Sequence, residues 1–357
     1  MQDLLRFLLA LCIVVFHYKH FAVQTALSLP PDNFTPPYID FLEFFYTYGY
    51  HAVAVFFFLS GHMLASQLAV NNSINSFSLL NFLIKRFARI YPAHFVTLLF
   101  MGLLTTAISQ MSLQAFMTYN DDFYNFFASL IFLNGTGLMR DTSFNLPAWS
   151  LSVEVICYLL FGCICTSTTK FRTQFFFAAL LLGVVINEVS SNPNTSNVGS
   201  GMVFFFAGVI TAIRFNLLRS RLIPNGKTAI VSLSAICVLS FSISLEVSLG
   251  VQKLCWIFLT LPSLVNVITL IDEKLNKRHH RPLIWFGMLS FSMYIWHFPV
   301  QAVIYYCIAN TQIDGSPLYN TAHLFWLYLF SVIVVAHISF VTIEKWGSSF
   351  IRSFGKE

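Results

Sequence analysis

The chain has 357 residues, of which 57% are hydrophobic and only 10% charged, and its mean hydropathy is +0.71. Soluble globular domains carry about 25% charged residues, so these figures exclude a water-soluble protein and describe an integral membrane one. The net charge of +5 follows a membrane topology, set out below, and is not the basic surface of a nucleic-acid-binding protein.

A spanning helix takes about 20 mostly apolar residues. In chain order the sequence predicts about ten, at 4–24, 42–66, 91–109, 147–166, 173–190, 200–217, 228–247, 252–271, 283–307 and 322–343. Turn-forming clusters separate them, including Pro30-Pro31-Asp32-Asn33, Pro36-Pro37, Asn192-Pro193-Asn194 and Asp314-Gly315-Ser316-Pro317. The longest connection, 110–146, contains an apolar run from Phe126 to Leu133. That run is too short to cross and is expected to be re-entrant or interfacial. The expected fold is an all-α polytopic membrane protein, with residues 1–346 as the membrane domain and 347–357 as a short cytoplasmic tail. The 40 phenylalanines suit lipid-facing and interfacial surfaces. The first apolar run lacks a small-x-small cleavage site and is expected to be a retained span. Seven cysteines lie in apolar stretches without a CxxC pair or a metal-ligand spacing. They read as small core hydrophobes, and no metal site is expected.

Basic residues mark the cytoplasmic side. With a cytoplasmic N-terminus and ten spans, every Lys and Arg except Lys19, Arg140 and Lys253 falls on that side. An eleventh span at 126–133 would invert every later loop. Both termini are therefore expected in the cytoplasm.

Ionisable groups in lipid cost roughly 2.5–3.5 kcal/mol each even on the mildest scale, so those inside the spans carry information. Arg6 and His17 lie in the first helix, eleven residues or about 16 Å apart. By the same rise, Glu154 lies about 10 Å into the fourth span from the outside, and His297 about 21 Å up the ninth from the inside. His17, Glu154 and His297 therefore share a layer, and His51 falls in the same band. A neutral His near a carboxylate is a competent general base. The plainer readings are a packing histidine bonded to a carbonyl and a structural ion pair. Arg86 and Arg89, at i, i+3 near the cytoplasmic mouth of the third span, suit bidentate phosphate binding; ordinary positive-inside anchoring is the alternative. His62 and His94 read as packing groups, and His279 and His280 as part of a solvated basic loop. No GxSxG, HExxH, P-loop or dinucleotide fingerprint is present.

Five segments resemble, in order, the motifs of the acyltransferase-3 family of integral-membrane acyltransferases. They are Arg6 and His17 with Asp3, Ala10 and Val14; Phe56-Phe57-Phe58-Leu59-Ser60-Gly61; Arg86-Phe87-Ala88-Arg89-Ile90-Tyr91-Pro92; Asn145-Leu146-Pro147-Ala148-Trp149-Ser150 through Glu154; and Gly287 through Pro299, with Ser290, Tyr294 and His297. The departures are Leu5 and Phe7 for the usual glycines around the first Arg, Ala52-Val53-Ala54 for Gly-Val-Asp, His62 for an aromatic, and no closing Pro after Glu344-Lys345-Trp346.

The resemblance implies an enzyme of a bacterial inner membrane that moves an acyl group, commonly acetyl from cytoplasmic acetyl-CoA, to a hydroxyl of a surface glycan such as lipopolysaccharide O-antigen or exopolysaccharide. Its partners would be acyl-CoA, a carbohydrate acceptor and the bilayer, with no nucleic acid and no bound cofactor. Arg86 and Arg89 would hold the donor phosphates, with Arg6 nearby. His17 would deprotonate the acceptor or relay the acyl group covalently, supported by Glu154. Asn145, Trp149, Ser150 and Tyr294 would position the acceptor or stabilise the oxyanion, and His297 is a second titratable candidate. Two other classes stay open. A proton-coupled secondary transporter of a glycan precursor or small solute would show counterflow without acyl-CoA. A scaffold in a glycan-export complex would tolerate alanine at His17 and Glu154.

Overall fold

Long apolar runs with few Gly or Pro interruptions leave the backbone no partner in lipid but itself, which dictates helix. The computed structural model describes residues 1–22, 34–70, 77–110, 116, 122–138, 144–167, 171–222, 226–244, 249–274, 277–308, 312–313 and 316–354. The helices are α1 (Gln2–His17), α2 (Ile39–Tyr48), α3 (Ala52–Val70), α4 (Leu79–Gln110), α5 (Phe123–Leu130), α6 (Trp149–Thr166) and α7 (Arg172–Val189). They continue as α8 (Pro193–Leu222), α9 (Gly226–Ser244), α10 (Leu249–Cys255), α11 (Leu261–Lys274), α12 (Lys277–Ile308), α13 (Ala322–Ser339) and α14 (Lys345–Ser353). A two-residue antiparallel pair, Gln312–Ile313 with Ser316–Pro317, is the only extended pairing among the described residues.

Among the described residues nine helical stretches are long and apolar enough to cross a membrane. They correspond to nine of the ten expected spans. The tenth, expected at 228–247, is α9, whose described apolar stretch Gly226–Phe241 is shorter than a span. Several boundaries differ from expectation, among them the following three. Helix α4 starts at Leu79, twelve residues before the predicted span, because Pro92 only frees the Ala88 carbonyl. Helix α12 starts at Lys277 and absorbs the expected basic loop at His279 and His280. Helix α14 continues through most of the expected tail. The run at 126–133 is helical only as the eight-residue α5, about 12 Å long and too short to span. The expected breakers Pro30 to Asn33 and Asp314-Gly315, and the basic residues Arg140, Lys170 and Lys356, lie outside the described residues.

The chain divides into two compact units. The first comprises Met1–Arg6, Ala54–Leu83 and Ile156–Gly287. Its helices approach through small residues, the usual means of close packing in a membrane. A Cβ on Gly61 would fall on the Phe205 carbonyl oxygen, and one on Gly208 on the Phe58 carbonyl oxygen. Helices α3 and α8 therefore touch backbone to backbone, each through its own glycine. Around them Phe58, Phe161, Phe205 and Phe206 are buried. Gly287 packs against Asp3, whose carboxylate occupies the space a Cβ would need.

The second unit comprises Phe7–Val53, Ile84–Val155 and Met288–Glu357. The side chain of Asp122 caps α5 by accepting from the Asn125 amide at 2.7 Å. The segment after α5 turns through Phe132, at φ 60°, and Gly135, at φ 69°. Phe132 stacks on His94 at 4.5 Å between centroids. Between α13 and α14 the helix widens into a single π turn, Phe340–Glu344, of the kind often found at functional sites.

Candidate active site

Helix α1 ends on His17, and the chain continues as the 3₁₀ turn Tyr18–Phe21. Residues three apart eclipse in such a turn, so His20 returns over His17. Their Nδ1 atoms are 3.2 Å apart and their ring centroids 4.7 Å. From α12, His297 brings a third ring to 4.9 Å from that of His17. One helical turn further, Gln301 donates from Nε2 to the His17 carbonyl at 2.8 Å, which satisfies an acceptor left open at the end of α1.

Proton placement follows from these contacts. His297 Nδ1 lies 2.6 Å from the Tyr294 carbonyl, which can only accept. That nitrogen therefore carries the proton and Nε2 keeps a lone pair, with no partner among the described residues. His20 and His297 are 2% and 0% exposed, whereas His17 is partly open. Of the three, His17 is the residue with appreciable exposure. When its Nδ1 donates to His20, its Nε2 holds the lone pair a general base needs. Among the described residues no three His, Cys, Asp or Glu side chains are disposed to hold a metal ion.

A second group joins α12 to the start of α6. The Tyr294 hydroxyl donates to the Pro147 carbonyl at 2.6 Å and lies 2.6 Å from Ser150 Oγ. Asn145 donates from Nδ2 to the Ile295 carbonyl at 2.9 Å. Asn145, Ser150 and Tyr294 thus hold the 3₁₀ turn Leu146–Ala148 against α12. Asn145 Oδ1 is buried without a partner among the described residues, a free acceptor in this group. Glu154, one turn beyond Ser150 on α6, is half-buried and within electrostatic range of Tyr294. Trp149 packs on Gly135, where a Cβ would collide with its side chain, and Ser152 donates to Asn134 Oδ1 at 2.5 Å.

The expected layer is thus partly assembled. His17 and His297 meet; Glu154 stands on the Tyr294 side. Arg86 and Arg89 lie inside α4 rather than at its mouth, both half-buried. Arg89 opens onto a separate cleft with Glu344. Arg6 is half-buried and belongs to the first unit. The His51 ring lies tilted against Tyr50, with centroids 4.0 Å apart. His94 bonds the Ser129 carbonyl at 2.8 Å, in keeping with a packing role. Sequence reasoning missed His20 and Gln301. The spacings i, i+3 from His17 and i, i+4 from His297 were the signals available.

A family model described as an acyltransferase domain, Acyl_transf_3, matches residues 3–343. The chain belongs to the acyltransferase-3 family. This acyltransferase is 24% identical over 366 residues to an O-acetyl transferase of Shigella phage Sf6, a match covering 96% of this chain and 94% of that protein. Over 115 residues it is 33% identical to acyltransferase MdmB of Streptomyces mycarofaciens, covering 32% of this chain and 28% of that one. No solved structure matches it. The acyltransferase is therefore a multi-pass membrane O-acyltransferase, and the transporter reading falls away.

Proposed function

We propose that this acyltransferase moves acetyl from cytoplasmic acetyl-CoA to a hydroxyl of a surface glycan, such as O-antigen or exopolysaccharide, in a bacterial cytoplasmic membrane. The observation that carries the mechanism is the histidine cluster, with His17 partly open and its Nδ1 matched to His20. His17 Nε2 takes the proton of the acceptor hydroxyl as its oxygen attacks the thioester carbonyl. The tetrahedral intermediate expels the CoA thiolate, and the proton on His17 passes to that sulfur. His20 holds the ring in the base-competent tautomer, and Glu154, on the Tyr294 side, supports the site. Asn145, Ser150, Trp149 and Tyr294 shape the acceptor side, with His297 supporting the cluster. Arg86 and Arg89 draw the donor's phosphates to the cytoplasmic side; the basic residue distribution supports placing both termini there.

The test is CoA release by the purified protein in nanodiscs. Release that rises with added glycan and leaves acetyl on a glycan hydroxyl supports the reading. Transfer from no acyl-CoA, or to no glycan, overturns it. A narrower prediction concerns His20. Its loss in His20→Ala removes one neutral hydrogen bond, so kcat is expected to fall about tenfold with the donor KM unchanged. An unchanged kcat would remove His20 from the mechanism.

A further inference from the structure

Helix α14 has two unlike faces. Lys345, Ser348, Ser349 and Arg352 recur at i, i+3, i+4 and i+7, and all line one cleft of about 640 Å³ together with Arg89 and Glu344. Trp346, Phe350 and Phe354, at i, i+4 and i+8, are 75%, 66% and 67% exposed. A helix so divided lies at the membrane–water interface, apolar face in lipid and polar face out of it. Its seat on α4 is close, since a Cβ on Gly347 would meet the Pro92 ring. That contact holds Lys345 and Arg352 at the same cleft as Arg89.

The charges in this cleft do not balance. It contains the three cations Arg89, Lys345 and Arg352 against the single carboxylate of Glu344, which accepts a hydrogen bond from Ser292. None of the three cations forms an ion pair within 4 Å among the described residues. Guanidinium forks, an ammonium and serine hydroxyls together make a donor set for phosphate. Lys345 and Arg352 are two helical turns, about 10 Å, apart along the axis. Two cations set that far apart along one helix suit a ligand that carries more than one phosphate.

Resting on the donor assignment above, we propose that this cleft binds the nucleotide end of acyl-CoA, with its diphosphate and 3′-phosphate. Lys345 and Arg352 complete an anion site of which Arg89 is one wall. Glu344 lies within electrostatic range of Arg89 on the same cleft. The terminal helix is then part of the donor site and not a topological anchor.

The experiment compares the full chain with a Lys345→Gln/Arg352→Gln variant in nanodiscs made with and without anionic lipid. Acetyl-CoA, acetyl-dephospho-CoA and acetyl-pantetheine serve as donors. Both side chains are exposed, and a charge-conserving Lys345→Arg/Arg352→Lys variant controls for folding. The double Gln variant is expected to raise the KM for acetyl-CoA about tenfold or more, with kcat nearly unchanged. The KM for acetyl-pantetheine, which lacks all the phosphates, is expected to be equal in both proteins, and the charge-conserving variant to behave like the parent. An unchanged acetyl-CoA KM in the double Gln variant overturns the proposal. So does a defect that appears only when anionic lipid is present, which would give the cleft to a lipid headgroup. If the parent protein uses no acyl-CoA at all, the donor reading itself fails, a result separable from either of these.

Discussion

Replacing His17 with alanine is expected to lower acyl transfer by about 10²–10⁴-fold, the range of a lost general acid–base group. The fold should survive, because the cluster's anchors lie elsewhere. Gln301 bonds the His17 carbonyl rather than its ring, and His297 is held by the Tyr294 carbonyl. The KM for the donor should change little, since the ring acts on the acceptor's proton. The measurement is kcat for the purified variant, with elution profile and helical content as checks on folding. Full activity in a folded His17→Ala protein would remove the whole histidine cluster from the chemistry.

The largest expected effect on stability is at the glycine contact in the first unit. Alanine at Gly208 sets its methyl on the Phe58 carbonyl, and alanine at Gly61 sets it on the Phe205 carbonyl. Backbone cannot swing aside as a side chain does, so α3 and α8 must separate. Overpacking of this kind costs about 1–3 kcal/mol or more, which should lower the midpoint of thermal unfolding by roughly 1–4 °C or more. The double substitution should cost less than the sum, because the first already parts the helices. Thermal unfolding of the three purified variants in detergent checks this; unchanged midpoints would mean that the two helices are not in contact.

Hydropathy made the helical architecture legible because a bilayer imposes one length and one polarity on every crossing. Counting residues along those helices was enough to bring His17 and His297 into one layer, and their rings lie 4.9 Å apart. Depth carries no azimuth, however. The position of Glu154 beside Tyr294, and of Arg89 in a cleft with Glu344, depends on helix rotation that hydropathy does not record. His20 escaped notice because it lies past the end of α1, where helical periodicity gives way to a 3₁₀ turn with a different stacking rule. In the sequence Lys345 and Arg352 read as topology markers, since any cytoplasmic cation satisfies the charge bias equally. Glu344 drew attention only as a departure from a motif. The helical wheel of α14 separates its two faces, but only once the segment is known to be helix and not tail.

The π turn at Phe340–Glu344 sets how those two faces point. A π turn holds one residue more than an α-helical turn, so everything after it is offset by about 100° from a continuous α-helix. The offset sends the Lys345–Arg352 face into the cleft and leaves Trp346, Phe350 and Phe354 exposed on another side of the helix. Removing one residue there would not shorten the protein so much as turn its last helix like a key. Aromatic rings would swing toward the Arg89 cleft and cations toward the bilayer. The length of that five-residue turn is therefore as constrained as the identity of any side chain beyond it.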